Sequence, residues 1–162
     1  MAKTVKTNVL RHLDAEKIPY ETRTYTVEDD NYDGKLIAAK VDLSPEMIFK
    51  TLVLTCGVKQ YLVCVVPVNS ELDLKAVARA TGHKSGAMLP QKELLPLTGY
   101  LRGGCSPIGR KKALPTGIDR ACEEQERISV SAGVRGCQVI MRRDDLIRCT
   151  KASVADLCRA QD

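Results

Sequence analysis

The stretch KTLVLTCGVKQYLVCVVPV, residues 50–68, decides the fold class of this chain. It contains two nearly continuous runs of aliphatic and β-branched residues, 50–56 and 60–68, separated by the tripeptide GVK. Strands that are buried on both faces have this composition. A short connection that contains glycine is typical of a turn between antiparallel strands. The stretch therefore predicts a buried β-hairpin.

Helical and strand patterns alternate irregularly on either side of this hairpin. Periodicity and capping residues predict helices at 3–17, 35–43, after Ser44, and at 71–82, 91–99, 143–150 and 153–160, with a break at Pro96. Alternating or β-branched runs predict strands at 20–27, 113–119, 127–132 and 137–142. Because the elements follow no regular βαβ order, we expect an α+β fold, with a mixed sheet flanked by helices in a single domain over residues 1–162.

The composition excludes several classes of protein. No apolar run approaches the length of about 20 residues that a transmembrane helix requires, and residues 1–17 mix charge into every turn, so we expect no membrane partner and a cytoplasmic location. The seven cysteines include no C-x-x-C pair, which argues against a zinc site. Because no secretory signal is present, we expect reduced thiols. We expect no metal and no cofactor. The net charge of +5 is compatible with a polyanionic partner and does not establish one.

Lys50 stands where the chain enters the first hairpin strand. A lysine at this position is costly unless its ammonium group reaches a cleft or a partner. A lysine that extends from the strand edge to solvent satisfies the same pattern. From the residues alone, both interpretations stay open.

The segment GYLRGGCSPIGRKK, residues 99–112, is rich in glycine and positive charge. Gly103 and Gly104 would let a ligand oxygen approach backbone N–H groups closely. The spacing matches neither the nucleotide-binding G-x-x-x-x-G-K-[ST] loop nor G-x-G-x-x-G at the start of a helix. A phosphate or oxyanion cradle and a tight turn between sheet elements are both compatible with it.

Cys105 lies inside this segment and is a candidate nucleophile. A cysteine nucleophile needs a base, and only His12 and His83 are available in the sequence. His83 lies in a loop that could approach Cys105, but the spacing does not require a dyad. The carboxylates form no obvious acid–base pair either.

Three segments together resemble the signature of a known family. FKTLV at 49–53, GYLRGGCSPIG at 99–109 and VSAGVRG at 130–136 are similar to the YbaK family of free-standing aminoacyl-tRNA deacylases. This family is related to the editing domain inserted in bacterial prolyl-tRNA synthetases, and the resemblance covers nearly the whole chain. It implies an α+β fold with the site in a cleft between the sheet and its helices.

The resemblance also implies a substrate and a set of site residues. The substrate would be Cys-tRNA(Pro), with Cys-tRNA(Cys) as a further candidate. Cys-tRNA(Pro) arises because a pocket for proline cannot strongly exclude another small side chain. The substrate's own thiol would attack its ester and release a cyclic thiolactone, which would explain the lack of a protein base. Lys50, Gly103 and Gly104 would act on the ester, and the substrate-binding residues would be Tyr25, Ser106, Ser131 and Arg135.

The same resemblance suggests further partners and leaves alternatives. Arg110, Lys111 and Lys112 would meet tRNA phosphates, and the protein would associate with prolyl-tRNA synthetase. The open alternatives are a deacylase of another mischarged tRNA such as Ala-tRNA(Pro), a thiol hydrolase that uses Cys105 and His83, and a module that binds tRNA or synthetase without catalysis.

Overall fold

The computed structural model describes residues 6–27, 34–82, 86–109 and 114–159. Its helices are α1 Asn8–Ala15, α2 Gly34–Val41, α3 Leu74–Thr81, α4 Gln91–Thr98 and α5 Arg143–Thr150, with 3-10 turns at Pro45–Met47 and Arg120–Glu124. Its strands are β1 Glu21–Thr24, β2 Phe49–Gly57, β3 Gln60–Pro67, β4 Ala87–Met88, β5 Thr116–Asp119, β6 Arg127–Ser131, β7 Cys137–Arg142 and β8 Ser153–Ala155. The predicted α+β class is confirmed.

The strands form two sheets rather than one. An antiparallel sheet has the order β1-β7-β6, and a mixed sheet has the order β4-β2-β3-β5-β8. In the mixed sheet β2 pairs antiparallel with β4 and β3, whereas β5 pairs parallel with β3 and β8. A bridge between Ile48 and Ser129 joins the two sheets just before β2 begins.

The predicted hairpin is confirmed as the centre of the mixed sheet. Its register runs from Phe49 opposite Pro67 to Thr55 opposite Tyr61, with an irregularity between Thr55 and Gly57 next to the turn. Both faces of the hairpin are covered by apolar side chains. Phe49 and Val53 belong to the main core, which contains residues of α1, β6 and β7, while the other face packs against α3 and the C-terminal segment.

Capping residues explain where two of the helices begin. The Thr7 hydroxyl accepts a hydrogen bond from the Leu10 N–H at 3.2 Å, so α1 begins at Asn8. The Asp73 carboxylate accepts from the backbone N–H groups of Lys75 and Ala76, and Gly82 in a left-handed conformation ends α3.

Two of the secondary-structure predictions differ from the structure. Residues 153–155, predicted as helix, form β8, because they complete the edge of the mixed sheet beside β5 and the Asp119 carboxylate accepts from the Leu157 N–H at 2.9 Å. The helix α4 continues past Pro96 to Thr98. Pro96 lies in the last turn and is exposed, so the single hydrogen bond it removes leaves a carbonyl that water can satisfy.

Within the described residues, no helix is long and apolar enough to cross a bilayer. The same part of the chain holds no cluster of histidine, cysteine and acidic side chains that could bind a metal ion.

Candidate active site

A cavity of about 440 Å³ lies against the open edge of β2. Phe49, Thr51 and Val53 direct their side chains to one face of the strand, and Lys50 and Leu52 to the other, yet all five line the cavity. The edge is open here because β4 is only two residues long and pairs with β2 further along the strand. Its volume lies within the range of small-molecule binding sites.

The glycine-rich segment forms another part of the wall of this cavity. It has no regular secondary structure between Gly99 and Gly109, and Arg102, Gly103 and Cys105 line the cavity. The buried Tyr100 hydroxyl donates to the Ile108 carbonyl across the base of the loop. The loop is therefore held from within as well as by its neighbours.

Gly103 and Gly104 have different positions. Gly103, with φ of 87°, lines the cavity, and among the described residues no partner is assigned to its N–H. The Gly104 N–H donates to the Leu101 carbonyl at 3.0 Å, and Gly104 does not line the cavity. A Cβ on Gly104 would lie 3.1 Å from backbone atoms of Val134 and Arg135. Gly104 thus lets two backbone segments meet, while Gly103 is the glycine that a ligand can approach.

Ser131 and Arg135 tie the loop to the strand β6 and the turn that follows it. The Ser131 hydroxyl donates to the Gly104 carbonyl at 2.9 Å and accepts from the Gly133 N–H at 3.1 Å. The Arg135 guanidinium donates to the Arg102 carbonyl at 2.8 Å. Ser131 also lines the cavity, so it can contact a ligand as well as hold the loop.

Tyr25 and Ser106 lie outside the main cavity. Tyr25 and Arg135 line a smaller adjacent cavity, and Gly103 and Ile37 line both cavities. The Tyr25 N–H donates to the Gly136 carbonyl at 2.9 Å, which continues the pairing of β1 with β7. Ser106 is fully buried and its hydroxyl accepts from the Ile108 N–H, a geometry that supports the loop rather than a ligand.

The charges of the main cavity are positive. Lys50 and Arg102 line it, and none of its described lining residues is Asp, Glu or His. No salt bridge joins Lys50 to an acid within the described part of the chain. Burial raises the pKa of the Cys158 thiol to about 12. Lys50 lies near enough for its positive charge to act in the opposite direction and lower this pKa.

The sequence did not indicate several of the lining residues. Thr51 lies within the FKTLV segment. A polar side chain in this largely apolar strand could have indicated that Thr51 lines the cavity. Gln91 on α4 and Gln138 on β7 have no such signal, because only the packing of distant elements brings them to the cavity. His83, Arg110, Lys111 and Lys112 lie outside the described residues, so their predicted roles stay predictions.

Residues 32–149 match the family model of the aminoacyl-tRNA editing domain. The chain belongs to this family. A protein of Enterococcus faecalis named as a candidate Cys-tRNA(Pro)/Cys-tRNA(Cys) deacylase, EbsC, is 38% identical over 152 residues, which cover 94% of this chain and 93% of that protein. The family predicted from the three sequence segments is confirmed.

Solved structures share the fold of this editing domain at lower sequence identity. A candidate trans-editing enzyme for prolyl-tRNA synthetase is 22% identical with a TM-score of 0.83, over 99% of this chain and 100% of the other. The hypothetical protein APE2540 is 20% identical with a TM-score of 0.85, over 94% and 100% of the two chains. At these identities the likeness establishes the fold.

Proposed function

We propose that this editing domain removes cysteine from Cys-tRNA(Pro) in trans, and that the substrate thiol is the nucleophile. The observation that carries the proposal is a cavity with cationic groups and a glycine wall whose described lining contains no carboxylate or imidazole. A hydrolase that activates water needs a base within hydrogen-bond reach. A substrate with its own nucleophile needs positioning and stabilisation of charge instead.

The proposed reaction is a cyclisation. The cysteinyl sulfur, as thiolate, forms a bond to the ester carbonyl carbon, and the bond from that carbon to the ribose oxygen breaks. The ribose oxygen takes up a proton and leaves as the hydroxyl of free tRNA. The aminoacyl group leaves as a four-membered thiolactone, which water later opens. No group on the protein becomes covalently attached.

Three features of the cavity suit the charge changes of this reaction. The substrate thiol must ionise, and the cations Lys50 and Arg102 favour an anion in their vicinity. The carbonyl oxygen becomes negative in the transition state, and Gly103, which lines the cavity, has a backbone N–H with no hydrogen-bond partner among the described residues. The hydrogen bonds from Ser131 and Arg135 hold this loop in place before the substrate arrives.

Cys105 gives the rival function its support, because it also lines the cavity. In a thiol hydrolase the Cys105 sulfur would attack the ester, and the side chain of the amino acid would not matter to the chemistry. A substrate-thiol mechanism requires the cysteine of the substrate, since serine of almost the same size ionises far less readily.

The deciding experiment measures turnover of Cys-tRNA(Pro), Ser-tRNA(Pro) and Ala-tRNA(Pro) by the wild type and by Cys105→Ala. We expect both proteins to cleave Cys-tRNA(Pro) and to leave Ser-tRNA(Pro) intact. Loss of Cys-tRNA(Pro) cleavage in a folded Cys105→Ala protein would favour the thiol hydrolase. Cleavage of Ala-tRNA(Pro) at a comparable rate would mean that cysteine is not the preferred amino acid. If none of the three were cleaved, the result would favour a module that binds tRNA or synthetase without catalysis.

We also infer that the protein is cytoplasmic, that a basic segment contacts tRNA phosphates, and that the protein associates with prolyl-tRNA synthetase. Contacts of Arg110, Lys111 and Lys112 with tRNA phosphates would make binding less sensitive to salt in the triple alanine variant than in the wild type. Association with prolyl-tRNA synthetase would appear as co-sedimentation of the two proteins.

A further inference from the structure

Thr51 lines the cavity, and its hydroxyl is a buried polar group. Its Oγ1 is shielded from solvent and has no hydrogen-bond partner among the described residues. Thr51 stands on β2 between Phe49 and Val53, which belong to the main core on the same face, and opposite the buried Val65 of β3. Valine would fill this position without leaving a polar group unsatisfied. An unsatisfied buried hydroxyl lowers stability, so it requires an explanation.

The other polar side chains of the cavity have their acceptor atoms engaged or have no acceptor. Gln91 Oε1 accepts from Arg102 at 3.3 Å, and Gln138 Oε1 accepts from Ser129 at 2.9 Å. The Ser131 hydroxyl both donates and accepts within the loop contacts described above. Lys50 and Arg102 carry donors alone. Among the described residues that line the cavity, Thr51 therefore has the side-chain oxygen that receives no hydrogen bond.

An aminoacyl ester brings a group that needs such an acceptor. Its α-amino group is a donor, fully so when protonated, and the cations of the cavity cannot receive it. Among the described lining residues there is no carboxylate to pair with it. A neutral hydroxyl at the open edge of β2 can accept the amino group without cancelling the positive charge that favours the substrate thiolate.

We propose that Thr51 Oγ1 accepts a hydrogen bond from the α-amino group of the bound aminoacyl ester and thereby orients the ester toward Gly103. This inference rests on the proposed function and names a positioning residue for it. The α-amino group is common to all aminoacyl esters of this kind. The contact therefore positions the ester whichever side chain the substrate carries.

The test compares two substrates that differ in the amino group alone. Cys-tRNA(Pro) and tRNA(Pro) esterified with 3-mercaptopropionate both carry the thiol, and the second lacks the α-amino group. Thr51→Val removes the hydroxyl at nearly constant volume, and Thr51→Ser keeps it. The control is Thr55→Val on the same face of β2, where the Thr55 hydroxyl donates to Gly57 outside the cavity.

We expect Thr51→Val to lower kcat/KM for Cys-tRNA(Pro) about 10- to 100-fold, the usual effect of losing a hydrogen bond to a charged group. Its kcat/KM for the mercaptopropionyl ester should equal that of the wild type. Thr51→Ser should recover most of the activity, and Thr55→Val should keep all of it. The Tm of Thr51→Val should equal or exceed the wild-type Tm, because no internal hydrogen bond is lost.

An equal loss on both substrates, or no loss on either, would overturn the role of Thr51 while leaving the deacylase function intact. A lower Tm in Thr51→Val would mean that the hydroxyl supports the fold, which also overturns it. Failure of the wild type to cleave Cys-tRNA(Pro) would overturn the proposed function itself. The wild-type measurement alone tests the function, so this failure can be distinguished from a failure of the role of Thr51.

Discussion

The β2–β3 hairpin and the glycine loop at residues 99–109 both contribute residues to the cavity wall, and they are held in place by different interactions. The hairpin is held by a ladder of backbone hydrogen bonds and by apolar side chains that are buried on both faces. The loop has no ladder, and side chains from Tyr100, Ser131 and Arg135 bind its carbonyl groups. Regular pairing supplies the rigid edge, while individual contacts shape the wall that approaches the substrate.

Lys50→Ala tests the hairpin side of this comparison and should have the largest effect. We expect deacylation of Cys-tRNA(Pro) to fall about 100-fold or more, because a cation that positions the substrate is lost, while the Tm stays near that of the wild type. Lys75→Ala on the exposed side of α3 removes the same charge and should keep full activity. Wild-type turnover by a folded Lys50→Ala protein would remove Lys50 from the site.

Gly104→Ala tests the loop side and should have a smaller effect. The added Cβ would lie 3.1 Å from the backbone of Val134 and Arg135, so the loop must move by a few tenths of an ångström. A displaced loop misplaces Gly103, and we expect kcat/KM to fall about tenfold.

The matched control for that variant is Gly82→Ala at the end of α3. Gly82 has φ of 76° and open space around its Cβ position, so alanine there costs about 1 kcal/mol of stability through backbone strain and should leave kcat/KM unchanged. If Gly104→Ala were fully active, the close packing of the loop against the turn after β6 would be irrelevant to catalysis.

The smallest effect concerns the face of the hairpin that packs against α3. Burial raises the pKa of the Cys64 thiol on β3 to about 12, above its ordinary value of 9.0. The folded protein therefore keeps this proton when the unfolded chain loses it, and stability present below pH 9 falls as the pH rises toward 12.

We expect Cys64→Val to lose free energy of unfolding less steeply above pH 9 than the wild type. The slopes should differ by about 1 kcal/mol per pH unit for a single thiol, measured by urea denaturation between pH 9 and pH 10.5. Identical slopes would mean that Cys64 ionises equally well in the folded protein.

The C-terminal segment shows where sequence reasoning fails and why. The pattern at residues 153–160 predicts a helix, and the structure has a strand at Ser153–Ala155. The free edge of β5 and the Asp119 carboxylate determine the outcome, and both are distant in sequence. The same limit applies to Gln91 and Gln138, whose place in the cavity depends on how α4 and β7 pack.

The sequence by itself determined the hairpin, the α+β class, the family and the segments that meet at the site, because apolar periodicity and a three-part motif are local patterns. The tertiary structure alone decided which atoms face the cavity. It placed Gly103 at the cavity wall and buried Gly104 against the turn after β6, although the two are adjacent glycines. It also left the Thr51 hydroxyl without a partner. The hydrogen bonds that hold the loop join residues 27 and 33 positions apart, and no local pattern encodes them.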